Sequence, residues 1–147
     1  MRVPTLRLTP VDRSEWVLPG GFTLLIVLIV GVGVSLEALT TGDVTLPSVV
    51  YQPILFPGMF TVAPLCLAAA NTVRGGSLLC SASLGVVPGV AFVLLAWATA
   101  FLGVGSAGDA PAVALGVVFA TAGLGHALVG IALGIVGIAM LNADPHG

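Results

Sequence analysis

Residues 112–141 read AVALGVVFATAGLGHALVGIALGIVGIAML and contain no charged side chain. His126 is the one titratable residue within them. As an α-helix this stretch would be about 45 Å long, which exceeds the roughly 30 Å hydrocarbon core of a bilayer. It therefore predicts a transmembrane helix that tilts or protrudes from the membrane.

The composition of the whole chain also indicates a membrane protein. Hydrophobic residues make up 58% of the 147 residues and charged residues 7%, whereas about 25% of a typical soluble domain is charged. Three further apolar stretches are long enough to span a bilayer, at residues 22–39, 49–73 and 81–104. The sequence thus predicts an all-α membrane protein, a four-span transmembrane helical bundle with short loops, flanked by tails at residues 1–21 and 142–147.

The basic residues predict the orientation of this bundle. Lysine is absent, and the four arginines lie in the first tail and in the loop between spans two and three, as Arg2, Arg7, Arg13 and Arg74. Four spans place these segments on one side, and basic residues near span ends are retained in the cytoplasm. We expect a multi-pass protein of a prokaryotic plasma membrane with both termini inside; the prokaryotic source is inferred from the Val, Ala and Gly richness.

The first tail allows two interpretations. Thr9, Pro10 and Asp12 resemble the start of a short interfacial helix that would end near Val17, before a break at residues 19–21. Alternatively, three arginines before an apolar run resemble a cleavable signal peptide. The tail is long for such a signal and the apolar run exceeds 15 residues, so the sequence favours a retained first span.

Span four carries small residues at alternating steps of three and four. This spacing places them along one face of a helix, where two backbones can approach closely. Span three offers a complementary set at Gly85, Gly89, Ala96, Thr99 and Gly103. Packing between spans three and four is the first interpretation, and self-association or docking onto another membrane subunit is the second. The stripe consists of Gly116, Ala120, Gly123, Ala127, Gly130, Gly134 and Gly137.

His126 and Glu37 are the candidate intramembrane functional residues. A neutral His126 ring is expected in span four, because hydrocarbon disfavours a charged imidazolium. Its ring could hydrogen-bond a neighbouring span at Thr99 or Thr61, relay protons or ions, or ligate haem or a metal. Glu37 is expected at the outer membrane boundary, or lining a polar entrance with Tyr51 and Gln52.

Span two contains Pro53, Pro57 and Pro64, which predict a kinked or partly unwound outer half. Interrupted helices of this kind are used by transporters to build substrate sites, and they also occur as purely structural features. Pro57 and Gly58 are the candidate hinge.

Chemical motifs do not point to an enzyme. The sequence contains no phosphate-binding loop, zinc-protease histidine pair or GxSxG nucleophile turn, and we expect no cofactor and no resident metal. Its scattered arginines give no reason to expect nucleic acid. The favoured function is a non-catalytic accessory or assembly subunit in the lipid bilayer, within a homo-oligomer or beside another membrane subunit. The alternatives are a small transporter or channel component with a midplane site at His126 and, third, a haem-ligating electron-transfer subunit.

Overall fold

The computed structural model describes residues 6–41, 57–101 and 112–143, which are predominantly helical. A 3₁₀ turn at Arg13–Trp16 leads into the first helix, and a π turn at Gly58–Val62 leads into the second. The helices are α1 Val17–Thr41, α2 Ala63–Val73, α3 Leu78–Phe101 and α4 Ala112–Ala143.

Three of these helices, α1, α3 and α4, are long and apolar enough to cross a membrane. The π turn and α2 together form a shorter apolar helix, Gly58–Val73. The predicted second span begins at Val49, and residues 49–56 lie outside the described residues. The described part of the chain is thus that of a multi-pass membrane protein with at least three helices of spanning length.

A tight turn joins α2 to α3. Gly75 has a φ of 78°, in the left-handed region that suits glycine, directly after the end of α2. The N–H of Gly75 donates to the Thr72 carbonyl (3.0 Å), and that of Gly76 to the Asn71 carbonyl (2.9 Å). These two bonds form a Schellman motif, which satisfies carbonyls at the end of α2 and reverses the chain.

Helix α3 begins three residues earlier than the sequence predicts, because Ser77 caps it. The Ser77 hydroxyl accepts a hydrogen bond from the Cys80 N–H (3.3 Å). An N-cap serine satisfies one of the N–H groups that a helix leaves unpaired at its start.

Aromatic and branched side chains form the main core between α1, α3, α4 and the π turn. The Phe119 ring of α4 lies at its centre, 4.5 Å from the Phe60 ring and 5.0 Å from the Phe92 ring between centroids. Ile26 and Val30 of α1 pack into the same cluster and are almost completely buried.

The start of the first span differs from the prediction. Asp12, and not Thr9, caps the 3₁₀ turn, with its carboxylate accepting from the Ser14 N–H (3.4 Å). No break occurs at residues 19–21, since α1 begins at Val17 and continues through them. Pro19 lies in the first turn, where a helix does not need the N–H that proline lacks.

Candidate functional site

The first half of the small-residue stripe lies against α3. A Cβ added to Gly123 would collide with the backbone carbonyl of Gly85, and one added to Gly116 would lie 3.0 Å from that of Gly89. Ala120 also faces Gly89. Glycine is required on both helices here because the two backbones are in direct contact. The sequence predicts this contact of Gly85 and Gly89 with the stripe.

The second half of the stripe lies against α2, which the sequence did not predict. A Cβ added to Gly130 would collide with the Leu65 carbonyl, and one added to Gly134 would lie 2.8 Å from the Thr72 Cβ. Ala127 is fully buried between the two halves, and Gly137, at the stripe's end, faces Val73 more loosely. One face of α4 therefore holds two helices within the same chain.

Among the described residues, His126 bonds its own helix and no neighbouring span. Its Nδ1 lies 2.7 Å from the Ala122 carbonyl, one turn earlier on α4. Because a carbonyl only accepts, this geometry assigns the ring hydrogen to Nδ1. Thr61, one predicted partner, bonds the Pro57 carbonyl instead; the side chain of Thr99, the other, lies outside the described residues.

His126 lies near the centre of α4, eleven residues or about 16 Å before Gly137, which faces Val73 at the end of α2. Gly123, three residues before it, contacts Gly85, and Gly85 is seven residues or about 10 Å from the start of α3 at Leu78. The ring is partly exposed. The midplane site at His126 stays a prediction.

The candidate hinge coincides with a break in regular helix geometry. The π turn Gly58–Val62 begins directly after Pro57, and π turns are frequent at functional sites. The turn lies along α4, since Leu65, three residues after it, contacts Gly130, four residues after His126. Phe60 packs on Phe119, and Phe119 precedes His126 by seven residues, about 10 Å along α4.

Of the remaining predicted site residues, Glu37 belongs to α1, and its side chain lies outside the described residues. The predicted lining partners Tyr51 and Gln52, together with Pro53, lie outside them as well. Pro64, the last of the span-two prolines, is buried in the first turn of α2.

An ionic clamp that no sequence pattern indicates joins the N-terminal segment to the α2–α3 turn. Arg7 Nη2 lies 3.2 Å from Glu15 Oε1 and donates to the Gly75 carbonyl at 3.0 Å. Hydrogen bonds from the N–H groups of Val11 and Ser77 hold the pKa of the Glu15 carboxyl below its ordinary value. Glu15 precedes α1, and its carboxylate stays ionised in this setting.

The N-terminal segment also satisfies the start of α3. The Ser77 N–H donates to Glu15 Oε2 (3.0 Å), the Leu78 N–H to the Arg7 carbonyl (2.8 Å), and the Leu79 N–H to the Leu8 carbonyl (3.1 Å). A carboxylate at a helix N-terminus is favourable because the exposed N–H groups carry partial positive charge. We call this region, residues 7–15 and 71–81, the polar end.

A small network of polar side chains supports the turn from inside. Asn71 Nδ2 donates to the Ser81 hydroxyl (2.9 Å) and to the Ser77 carbonyl (3.3 Å), and the Thr72 and Ser81 hydroxyls lie 3.3 Å apart. A Cβ at Gly76 would strike the Asn71 side chain. Each polar group of this network is therefore used to hold α2, α3 and the turn together.

Local sequence signals could have identified the α2–α3 turn of the polar end. Gly75 followed by Ser77 is typical of a helix stop and a helix start. The pairing of Arg7 with Glu15 and Gly75 has no such signal, because 68 residues separate Arg7 from Gly75. Within the described ranges, no three His, Cys, Asp or Glu residues lie close enough together to hold a metal ion.

Comparisons with protein-family models, with curated proteins and with solved structures found no match to this chain.

Proposed function

We propose that this protein is a four-span integral protein of a prokaryotic plasma membrane that acts as a non-catalytic accessory or assembly subunit. The fourth span would be completed by residues 49–56, which are apolar apart from Gln52 and precede the short helix Gly58–Val73. That helix alone is about 24 Å long, so a few of these residues suffice to reach across a core of about 30 Å.

Both termini would lie in the cytoplasm. Arg7 and Arg74 occupy the polar end, and Gly137 near the end of α4 faces Val73 at the same end. Basic residues near span ends are retained in the cytoplasm, so the polar end is assigned to that side. A reporter fused after Gly147 should be active only in its cytoplasmic form; an externally active reporter would reverse the orientation.

The ionic clamp supports a retained first span. Signal cleavage near residue 38 would remove Arg7, Leu8 and Glu15, which accept the first hydrogen bonds of α3. Ser77 is fully buried, and a buried N–H group without a partner is costly. An N-terminal epitope tag should therefore remain on the mature protein.

The observation that carries the subunit role is a contrast between two sets of small residues. The stripe on α4 is covered by α2 and α3, whereas Gly31 on α1 has no atom of the described residues within 4 Å of where its Cβ would be. Gly31 and Ser35 are one turn apart and line a shallow recess of about 390 Å³ with Val27, Leu28 and Val32. Small residues at this spacing let a second transmembrane helix approach closely.

Purification in mild detergent followed by native mass spectrometry tests this role. The wild-type protein should carry a second membrane subunit or a second copy, and Gly31→Leu should lose it. Gly125→Leu is the matched control, because Gly125 on α4 is equally open. A wild-type monomer, or equal association in both variants, would contradict the proposal. An absorption spectrum of the same sample tests the haem alternative through a Soret band.

A transporter or channel component is the second candidate function, supported by the π turn at Gly58–Val62. It ranks second because the His126 ring bonds the Ala122 carbonyl of its own helix. His126→Leu should leave stability unchanged or higher, since the ring bonds only its own helix among the described residues. Loss of a measured ion or proton flux in this variant would favour the transporter.

A further inference from the structure

A groove runs along the bundle from the polar end, between the start of α1 and α2. Its volume is about 460 Å³. The apolar residues that line it are Val17, Leu18, Gly21, Phe22, Leu25 and Leu67. Ser14 lines the mouth of the groove at the polar end, in the 3₁₀ turn before α1. The groove is thus polar at one end only, as an amphipathic ligand requires.

The depth of the groove matches one leaflet of a bilayer. Val17 and Leu25 are eight residues apart on a continuous helix, which is about 12 Å. Half of a hydrocarbon core is about 15 Å. A groove that starts at the headgroup level and follows α1 for this distance has the length of an acyl chain in one leaflet.

The charges at the polar end favour an anionic headgroup. Arg7 is neutralised by Glu15 at 3.2 Å. Arg13 and Arg74 are exposed and form no ion pair within the described part of the chain. Arg13 directly precedes Ser14, at the mouth of the groove, where a lipid phosphate would lie. The Asp12 carboxylate accepts from the Ser14 hydroxyl there (3.0 Å), so three arginines and two carboxylates leave the polar end with one net positive charge. Each basic residue near a membrane surface adds to the attraction of anionic lipid.

We propose that this groove binds one acyl chain of an anionic phospholipid, with the lipid phosphate held beside Arg13. The proposal depends on α1 lying in the membrane with its polar end at a headgroup layer. It does not depend on a partner subunit, since the Gly31 recess lies further along α1 than the end of the groove at Leu25.

Native mass spectrometry with added lipid provides the test. The protein is titrated in detergent with phosphatidylglycerol or with phosphatidylcholine of the same acyl chains. Wild type should retain one phosphatidylglycerol in preference to phosphatidylcholine. Gly21→Leu should lower retention of both lipids, because its side chain fills the groove, and a Cβ there meets no protein atom within 4 Å.

Two further variants complete the design. Gly20→Leu is the matched control, since Gly20 is equally open and does not line the groove; it should retain lipid like wild type. Arg13→Gln should lower the preference for phosphatidylglycerol about five-fold. Equal retention of the two lipids by wild type, equal retention by Gly21→Leu and Gly20→Leu, or an unchanged preference in Arg13→Gln would overturn the proposal.

Discussion

Replacing Gly123 by alanine probes the place where the backbones of α3 and α4 touch. The new methyl group would collide with the Gly85 carbonyl oxygen. A backbone oxygen cannot rotate away as the end of a side chain can, so the two helices must separate. Separation also loosens the contacts of Ala127, which is fully buried next to this site.

The expected loss of unfolding free energy follows from comparing alanine at two positions on α4. Overfilling a packed contact costs about 1–3 kcal/mol. Alanine has a helix propensity up to about 1 kcal/mol better than glycine, which partly hides that cost. Gly125→Ala has the same gain in propensity and meets no atom within 4 Å. Gly123→Ala should therefore be about 1–3 kcal/mol less stable than Gly125→Ala.

Reversible unfolding in mixed micelles, titrated with a denaturing detergent and followed by far-ultraviolet circular dichroism, measures this difference. The control variant should unfold at the wild-type detergent fraction or above it, and Gly123→Ala clearly below. Coincident transitions for the two alanine variants would show that α3 and α4 do not meet at Gly85, and the packing argument for the first half of the stripe would fail.

Three further changes test other parts of the bundle. Gly130→Leu should lower the unfolding free energy by at least as much as Gly123→Ala, because four carbons would press on the Leu65 carbonyl; unchanged unfolding would place this face toward lipid. Gly75→Ala should cost about 1–2 kcal/mol for its positive φ, and Gly75→Asn less, since asparagine tolerates that conformation; equal unfolding midpoints would exclude the Schellman turn. Glu15→Gln should speed hydrogen exchange of the Ser77 amide, with Asp12→Asn as a control that leaves it unchanged; equal exchange in both would contradict the ionic clamp.

The small-residue stripe shows which helix contacts a local sequence pattern predicts and which it does not. Spacing alone placed Gly116 to Gly137 on one face of a helix, and Gly85 and Gly89 were identified as partners because antiparallel neighbours usually pack together. That Gly130 and Gly134 contact α2 instead depends on how α4 crosses its two neighbours. Crossing geometry is set by the packing of all side chains at the contact and has no signature in one helix.

For His126, the sequence identifies the residue but does not predict its hydrogen-bond partner. The sequence marked it as the one titratable group within residues 112–141. Its ring bonds the Ala122 carbonyl one turn earlier on α4, and Thr61, an expected partner, bonds the Pro57 carbonyl of its own helix.

The sequence by itself determined that this is a membrane protein and where its apolar helices lie. It also determined that the arginines lie in the segments that flank these helices. It could do so because a segment that spans hydrocarbon must pair its own backbone N–H and C=O groups, which a helix does. Hydropathy, which marks such segments, is a local property of the sequence. Only the tertiary structure decided that Arg7 and Glu15 clamp the start of α3, that α4 divides its glycines between two helices, and that Gly31 of α1 has no neighbour among the described residues. Each of these depends on residues far apart in the chain, whose contacts arise from the mutual fit of whole helices.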